Sequence, residues 1–492
     1  MTSTDGPVSL ELDGESEVAL DALARLHEAQ GDWNDLVSVL TRRVAIMDDG
    51  ELLARLAARV AMPTESQNPE RHGELHRYLR ESIAPEVAAL GCTWEILDNP
   101  HPGGGPLLIA ERLEDPALPT VLGYGHGDVI RGLEGQWRDG RSPWELSQQG
   151  ERLYGRGTAD NKGQHTVNLA ALGAVLAVRG QLGFNFKLLL ETGEEQGSPG
   201  LREFCEIHRA RLAADLLLAS DGPRLAAERP TLFLGARGSL NFHLRLRLRE
   251  GAHHSGNWGG LLANPGLILA HAIASIASPR GEIRVPEWRP EGVPASVRAA
   301  VRNLPVGTGG PAMDAHWGEP GLSPGERVHA WNSFEVLAYR TGNPDHPVNA
   351  IPAQASATCQ LRFIADTDPD DILPALRRHL DREGFGAVAI EPARESFFRA
   401  TRMNPAHPLV RWAADSMARS TASEPVILPN LGGSLPNDIF AEVLGLPTLW
   451  VPHSYPGCSQ HAPDEHALLP VLREGLAIMA GLYWDLGEGL PR

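Results

Sequence analysis

Three features of the sequence predict an α/β fold, a mixed sheet with helices on its faces, interrupted by an inserted α+β domain. Between residues 93 and 220, short apolar runs bounded by Gly, Pro, Asn or Asp alternate with amphipathic helical stretches. From about residue 235, long segments alternate apolar and polar positions, the mark of half-buried antiparallel strands. After residue 400 the first pattern returns, so the flanking stretches form one domain and the block between them is inserted. A chain of 492 residues has room for two to four domains of about 150 residues each. The expected divisions are a helical N-terminal extension at 1–50, the first part of the α/β domain at 51–234, the insert at 235–398 and the second part at 399–492.

Residues 8–60 are rich in Leu, Ala, Glu and Arg, and Ala19, Leu20, Leu23 and Leu26, then Leu36, Val37, Val39 and Leu40, recur at helical intervals. Asn68 and Pro69 suit the cap and first turn of a helix running to Ala88, which Pro85 kinks or ends. Strands follow at Thr93–Leu97, Pro106–Leu113 and Thr120–Tyr124. Next come a helix at Gln164–Val178, a strand at Phe184–Glu191, a helix at Leu201–Arg211 and a strand at Asp215–Ser220. In the insert, Leu240–Arg249 alternates over its whole length and precedes an apolar helix at Leu267–Ile276. Residues 278–330 are rich in Pro and Gly and read as irregular. A second alternating strand at Ala355–Phe363 leads to an amphipathic helix at Asp370–Arg382, giving a β–α–β–α block. The return comprises a helix at Pro408–Ser420, strands at Pro425–Leu428 and Pro447–Val451, and a C-terminal helix at Leu468–Leu486.

Hydrophobic content of 42% and charged content of 22% describe an ordinary globular protein. The formal charge of -18 disfavours nucleic acid as a partner, because phosphate binding needs a basic surface. Met1-Thr-Ser-Thr-Asp-Gly-Pro has neither a basic nor an apolar leader segment, and no apolar run approaches the roughly 20 residues of a membrane span. Cys92, Cys205, Cys359 and Cys458 are far apart with no CxxC pair, so free thiols and a cytoplasmic location are expected. Lys162 and Lys187 are the only lysines, a bias towards arginine, and Lys187 reads as a strand-edge charge.

In α/β sheets ligands sit outside the carboxyl ends of the strands, and five acid or histidine clusters fall there. Strand Thr120–Tyr124 ends in Gly125-His126-Gly-Asp128, where residues two apart share a face, so Asp128 can orient the His126 ring. Asp160 follows the glycine-punctuated turn Leu153-Tyr-Gly-Arg-Gly-Thr-Ala and precedes a helix; read alone it is a helix cap. Gly193-Glu194-Glu195 leaves the strand ending at Glu191, and two adjacent glutamates there cannot both point the same way. Asp221 leaves the strand at 215–220, and His461 follows the strand at 447–451 within Ser459-Gln-His461-Ala-Pro-Asp-Glu-His466. Each has a bland reading as a cap, a turn acid or a surface histidine. Together they offer imidazole and carboxylate donors suited to zinc, manganese or cobalt, and five ligands exceed one tetrahedral zinc. Two metals sharing one carboxylate would use all five.

In order and spacing these motifs resemble the M20 metallopeptidase family over about residues 50–490. That family includes carnosinase-like dipeptidases, glutamate carboxypeptidase, aminoacylase, succinyl-diaminopimelate desuccinylase and acetylornithine deacetylase. The resemblance implies a zinc-peptidase-like catalytic domain with a ferredoxin-like lid and dimerisation domain, and a homodimer formed through that lid. It implies one metal on His126, Asp160 and Asp221 and a second on Asp160, Glu195 and His461, with zinc placed first and manganese or cobalt as alternatives. Glu194 would be the general base and Asp128 the catalytic aspartate beside His126. Asn161 stands where the family usually has a second aspartate, at a position that is not a ligand. In the lid, Ala252-His-His254-Ser-Gly resembles the motif whose histidine polarises the scissile carbonyl of the partner's site, His253 being the off-by-one rival. Asn349, Arg362, Gly433 and Ser434 resemble substrate-side positions, the last three near its free carboxylate. The implied function is hydrolysis of the amide bond of a small dipeptide or N-acyl amino acid. A deacylase, carbamoylase or aminohydrolase acting on a non-peptide C–N bond is the alternative, and a catalytically inactive dimeric binding protein is the alternative from another class.

Overall fold

Strands covered by helices on both faces are mostly apolar along their length, and the inner strands of the large sheet are buried in that way, Asn185–Glu191 at every position. The computed structural model describes residues 49–306, 312–393, 397–421 and 423–491. It divides into two units, the first comprising Met1–Leu232, Ala406–Val426 and Val443–Arg492, the second Phe233–Pro405 and Ile427–Glu442. The helical periodicity of residues 8–48 lies outside the described residues; its last turns are seen as helix α1, Asp49–Val60.

The first unit continues with α2, His72–Tyr78, and α3, Ala84–Ala89. Asn68 accepts the N–H of Glu70 as expected of a cap. Pro85 does not end the run: a wide π turn at Leu79–Ile83 carries the chain into α3, where proline at the start of a helix lacks no hydrogen bond. Strands β1 (Thr93–Leu97), β2 (Leu107–Arg112), β3 (Thr120–His126), helix α4 (Lys162–Arg179), β4 (Asn185–Glu191), α5 (Leu201–Ile207), β5 (Leu216–Ala219) and β6 (Thr231–Phe233) follow.

The second unit is a β–α–β–β–α–β sequence: β7 (Gly238–Arg247), α6 (Pro265–Ile276), β8 (Ser333–Thr341), β9 (Gln354–Phe363), α7 (Ile372–Arg382) and β10 (Ala389–Pro392). Its antiparallel sheet has the order β8-β9-β7-β10, the ferredoxin-like arrangement. Leu240, Phe242, Leu244 and Leu246 of β7 meet Leu269, Ala272 and Ile276 of α6 and Leu376 and Leu380 of α7 in its core. Two strands escaped the sequence reading. β8 keeps Val336, Leu337 and Tyr339 exposed, so it shows no buried alternation, and β10 has only four residues. β7 is paired on both sides, by β9 and β10, and the long edge strand of this sheet is β8. Residues 278–330 also hold short helices at Ala295–Val301 and Pro324–His329 around Val297, Val301 and Trp331. Residues 427–442 fold with this unit because Leu431 and Gly433 accept the N–H of Arg237.

The first unit is completed by α8 (Pro408–Thr421), β11 (Val426–Leu428), β12 (Thr448–Trp450) and α9 (Leu469–Glu488), with α9 packed on α4 and α8. The large sheet has the order β1-β2-β4-β3-β5-β12-β6-β11. β1, β2 and β4 pair antiparallel, whereas β4, β3, β5 and β12 run parallel, so the expected mixed sheet is present. Parallel pairing brings the carboxyl ends of β3, β4 and β5 to one side. A separate three-stranded sheet pairs Arg152–Tyr154 with both Ser147–Gln149 and His466–Leu468, which draws the loop after residue 154 towards the segment before residue 466. Both lysines donate to backbone carbonyls. Lys162 Nζ donates to Arg59 O and Met62 O at the end of α1, and Lys187 Nζ to Arg211 O and Ala213 O in the turn beyond α5. The strand carrying Lys187 is internal, not an edge.

Candidate metal centre

The five sequence-predicted ligands converge on the carboxyl side of the large sheet. His126, the last residue of β3, is fully buried and sends Nε2 to Asp160 Oδ1 at 2.9 Å, with Asp221 Oδ2 at 3.6 Å. His461 Nε2 lies 3.1 Å from Asp160 Oδ2 and 3.2 Å from Glu195 Oε2. In each triad, His126–Asp160–Asp221 and Asp160–Glu195–His461, the donor atoms lie within 4.8 Å of one another. The two oxygens of Asp160 therefore face different triads. Asp221 Oδ2 is buried with no hydrogen-bond partner, which a cation would satisfy.

The charges of the cluster are unbalanced. Burial, then the charge of Asp160, lifts Glu195 to about 7 and Asp221 to about 6. Burial also holds Glu194 well above the carboxylate range. Burial would raise Asp160 too, but hydrogen bonds from His126 and His461 outweigh it and hold its carboxyl low. Hydrogen bonds to Asp160 and Glu195 lift His461 to about 11. A site that crowds carboxylates out of water in this way fits divalent cations.

Asp128 meets the His126 ring and also reaches beyond it. His126 Nδ1 is 3.0 Å from the backbone oxygen of Asp128, while the carboxylate stands 3.4 Å away. The carboxylate accepts the N–H groups of Glu194 at 3.2 Å and Glu195 at 3.1 Å, so it holds the turn carrying both glutamates. A backbone carbonyl serves as well as a carboxylate to fix the tautomer with Nε2 facing Asp160.

Asp160 is not the helix cap; Asn161 occupies that position. Asn161 Nδ2 donates to Ser220 O at 2.9 Å and its Oδ1 meets His165 Nδ1 at 3.1 Å, so this side chain ties the Asp160 turn to the residue before Asp221. Tyr78 OH continues the chain to His165 Nε2 at 2.6 Å. Gln460 Nε2 also donates to Asp160 Oδ2. Neither Asn161 nor Gln460 carried a sequence signal beyond its place beside a ligand.

A model of the family described as Peptidase family M20/M25/M40 matches residues 122–485. The chain belongs to that family. It is 34% identical to the Beta-Ala-His dipeptidase of Rattus norvegicus over 185 residues, 37% of each chain. With the Cysteinylglycine-S-conjugate dipeptidase of Corynebacterium striatum it shares 24% identity over 377 residues, 74% of this chain and 80% of that one. The chain thus spans well under half the length of the first of these relatives. An M20 family metallo-carboxypeptidase from Sulfolobus solfataricus has a similar fold, with a TM-score of 0.74, 23% identity, and coverage of 89% of this chain and 99% of that one.

The remaining predicted site residues of this M20 member lie in the second unit and form two groups. His253 and His254 pair with Ile351 and Ala350. Asn349 O accepts the backbone N–H of Ser255 at 2.9 Å and its hydroxyl at 3.0 Å. His254 is exposed and its Nδ1 accepts the N–H of Gly256, so the neutral ring carries its proton on Nε2; His253 instead packs edge-on against Trp258. In the other group, Arg362 Nη1 donates to Ser434 Oγ at 3.2 Å, and Gly433 O accepts from Arg237 N at 3.2 Å.

Proposed function

We propose that this M20 member is a dinuclear hydrolase that cleaves the amide bond of a dipeptide or N-acyl amino acid. The observation that carries the reading is the sharing of Asp160 between two triads, one oxygen to each. His126, Asp160 and Asp221 would hold one ion and Asp160, Glu195 and His461 the other, zinc being the first choice for this donor set and manganese or cobalt the alternatives. The names of the dipeptidase relatives support the substrate class.

When bound, the ions would supply Lewis acidity, which lowers the pKa of a water towards neutrality and polarises a carbonyl oxygen. Glu194, half-buried and with its backbone fixed by Asp128, takes one proton from that water. The hydroxyl oxygen adds to the amide carbon, and the C–N bond breaks as Glu194 returns the proton to nitrogen. The products are a carboxylic acid and an amine, and the acid's proton passes to the amine to leave a carboxylate and an ammonium group. In the homodimer, Nε2–H of His254 of the partner subunit would be a donor for the developing oxyanion. Arg362 with Ser434, beside Gly433, would grip the substrate's free carboxylate, and Asn349 would position the His254 turn.

The second unit would serve as lid and dimerisation domain of a homodimer. Support comes from its edge strand β8, which exposes Val336, Leu337 and Tyr339. Among the described residues no helix is long and apolar enough to cross a membrane, and all four cysteines are free and buried, which supports a reducing, cytoplasmic setting.

The deciding experiment is metal analysis of the purified chain alongside turnover of dipeptides, N-acyl and N-carbamoyl amino acids. About two ions per chain with dipeptide turnover is expected. Turnover of non-peptide substrates alone would redirect the substrate class, and ions without turnover would point to a binding protein.

A further inference from the structure

The loop that delivers Asp160 is shaped by a carboxylate from a distant part of the chain. Glu465 lies four residues after His461 and directly before the strand His466–Leu468. Its side chain is 1% exposed, as is that of Arg156. One oxygen, Oε2, accepts from Arg156 Nη1 at 2.7 Å. The other, Oε1, accepts the N–H of Ala159 at 3.0 Å and of Asp160 itself at 3.1 Å, and the N–H of Gly157 lies 3.1 Å from both oxygens. The backbone of Glu465 adds a further tie, its carbonyl accepting the N–H of Gly155 at 3.1 Å. Gly157 turns at φ 90, a conformation open to glycine, and a Cβ there would meet the Lys162 side chain at 2.9 Å.

Removing a carboxylate from water costs several kcal/mol, which a single arginine in good geometry need not offset. Three backbone N–H groups from one turn are what make this charge tenable, and the turn in exchange has one permitted shape. The cradle also joins the loops that carry Asp160 and His461. Glu465 is four residues from His461, while its contacts include the backbone of Asp160. Neighbouring Asp464 accepts the N–H of Arg138 at 3.0 Å and bonds Arg141 Nη1 at 3.2 Å, fixing the other end of the same segment.

We infer that Glu465 is a positioning residue for the metal centre, its buried carboxylate clamping the Gly155–Asp160 turn so that both oxygens of Asp160 are aimed. The inference rests on the reading that Asp160 bridges two ions. It is separable from a plain buried ion pair, because Arg156 can be removed while the three N–H contacts stay.

The test is titration of zinc or cobalt into the chelator-stripped full chain, with near-ultraviolet circular dichroism to confirm folding and thermal melts in parallel. Glu465→Gln is expected to fold, yet to lose about 10–100-fold in affinity for at least one ion, the range for partners that orient metal ligands. Arg156→Met is expected to melt lower but to bind within a few-fold of wild type. Folded Glu465→Gln that binds both ions like wild type overturns the inference, as does an equal affinity loss in Arg156→Met. If Glu465→Gln is not recovered folded, Glu465→Asp keeps the charge but draws the oxygens back by one methylene. Undiminished affinity in that variant is then the overturning result. Failure of the wild-type chain to bind two ions would instead refute the two-ion reading.

Discussion

Removing the ions should make the stability of the first unit fall as pH rises. In the ion-free centre burial, followed by repulsion from Asp160, lifts Glu195 from 4.5 to about 7 and Asp221 from 3.8 to about 6. A carboxyl whose folded value exceeds its unfolded value binds more protons in the folded state over the interval between them, so stability declines across that interval. At about 1.4 kcal/mol per pH unit, each group accounts for about 3 kcal/mol between pH 4 and 7. His461 acts in the same direction. Its value is raised from 6.5 to about 11 by hydrogen bonds to Asp160 and Glu195, so its contribution is complete below 6.5 and is lost towards 11. The ring is half exposed, and solvent screening reduces what it adds. Asp160 sets the acid limb, since its lowered value gives stability present above 3.8 and lost as the pH falls. The stripped chain should therefore be most stable near pH 4, where the fall from Asp221 and Glu195 begins and the acid limb of Asp160 ends, and melt on the order of 10 °C lower at pH 8. Bound cations require the deprotonated ligands and should remove most of this decline. Glu191, lifted by burial to about 7 and bonded to Tyr124 and Ser198, keeps its slope in both forms, so the informative quantity is the difference between them. The measurement is a set of melting curves from pH 5 to 8, with chelator and with zinc. A stripped-protein melting temperature that is flat or rises with pH, or one parallel to the loaded protein, would refute the reasoning.

Glu194→Gln should lower kcat by about 10²–10⁴-fold with ion content still near two per chain, read by steady-state kinetics and elemental analysis. Asp128→Asn leaves one acceptor for the two N–H groups of Glu194 and Glu195; kcat should fall about 10–100-fold while the protein stays folded, and an unchanged kcat would remove Asp128 from the site. Arg362→Met should raise KM by about 10–100-fold for substrates with a free carboxylate and leave the matching amides unaffected, since a charge-assisted contact is worth about 1.5–3 kcal/mol.

How far the sequence could be read depended on whether a segment's partner was local. β3, β4 and β5 carry their own signal, because a strand buried on both faces is apolar at consecutive positions. Boundaries there agree to within two residues or so. β8 and β10 carry no such signal, since an exposed edge strand such as β8 needs no alternation and four residues cannot display any. The metal ligands were legible for a related reason. His126, the Glu194–Glu195 pair and Asp221 each sit at or just beyond the carboxyl end of a strand, so an α/β pattern already put them on one side of the sheet. Roles that depend on reach across the fold were not legible. Asp128 has the spacing of an orienter for His126, and its carboxylate lies 3.4 Å from the ring, but nothing local shows that the same carboxylate also holds the Glu194–Glu195 turn. Glu465 stood inside a motif recognised for its histidine, with nothing local to show that residues 157–160 would close around it.

The same physics explains why readings that were weak one at a time become strong together. An isolated aspartate after a glycine turn is satisfied by capping a helix, so Asp160 alone selects nothing. Once β3, β4 and β5 run parallel, their exits bring Glu194, Glu195 and Asp221 towards His126 and Asp160, and two histidines cannot neutralise four acids held away from water. Asp221 Oδ2 is left without a partner, and Glu194 and Glu195 prefer their protons near neutrality. A fold that only needed stability would gain by replacing these side chains with apolar ones. The surrounding structure does the reverse, spending Asn161 on the Ser220 backbone, Asp128 on the glutamate turn and a buried Glu465 on the Asp160 loop. Those supporting contacts fix the directions of carboxylates that repel one another, which stabilises the chain only when positive charge stands between them.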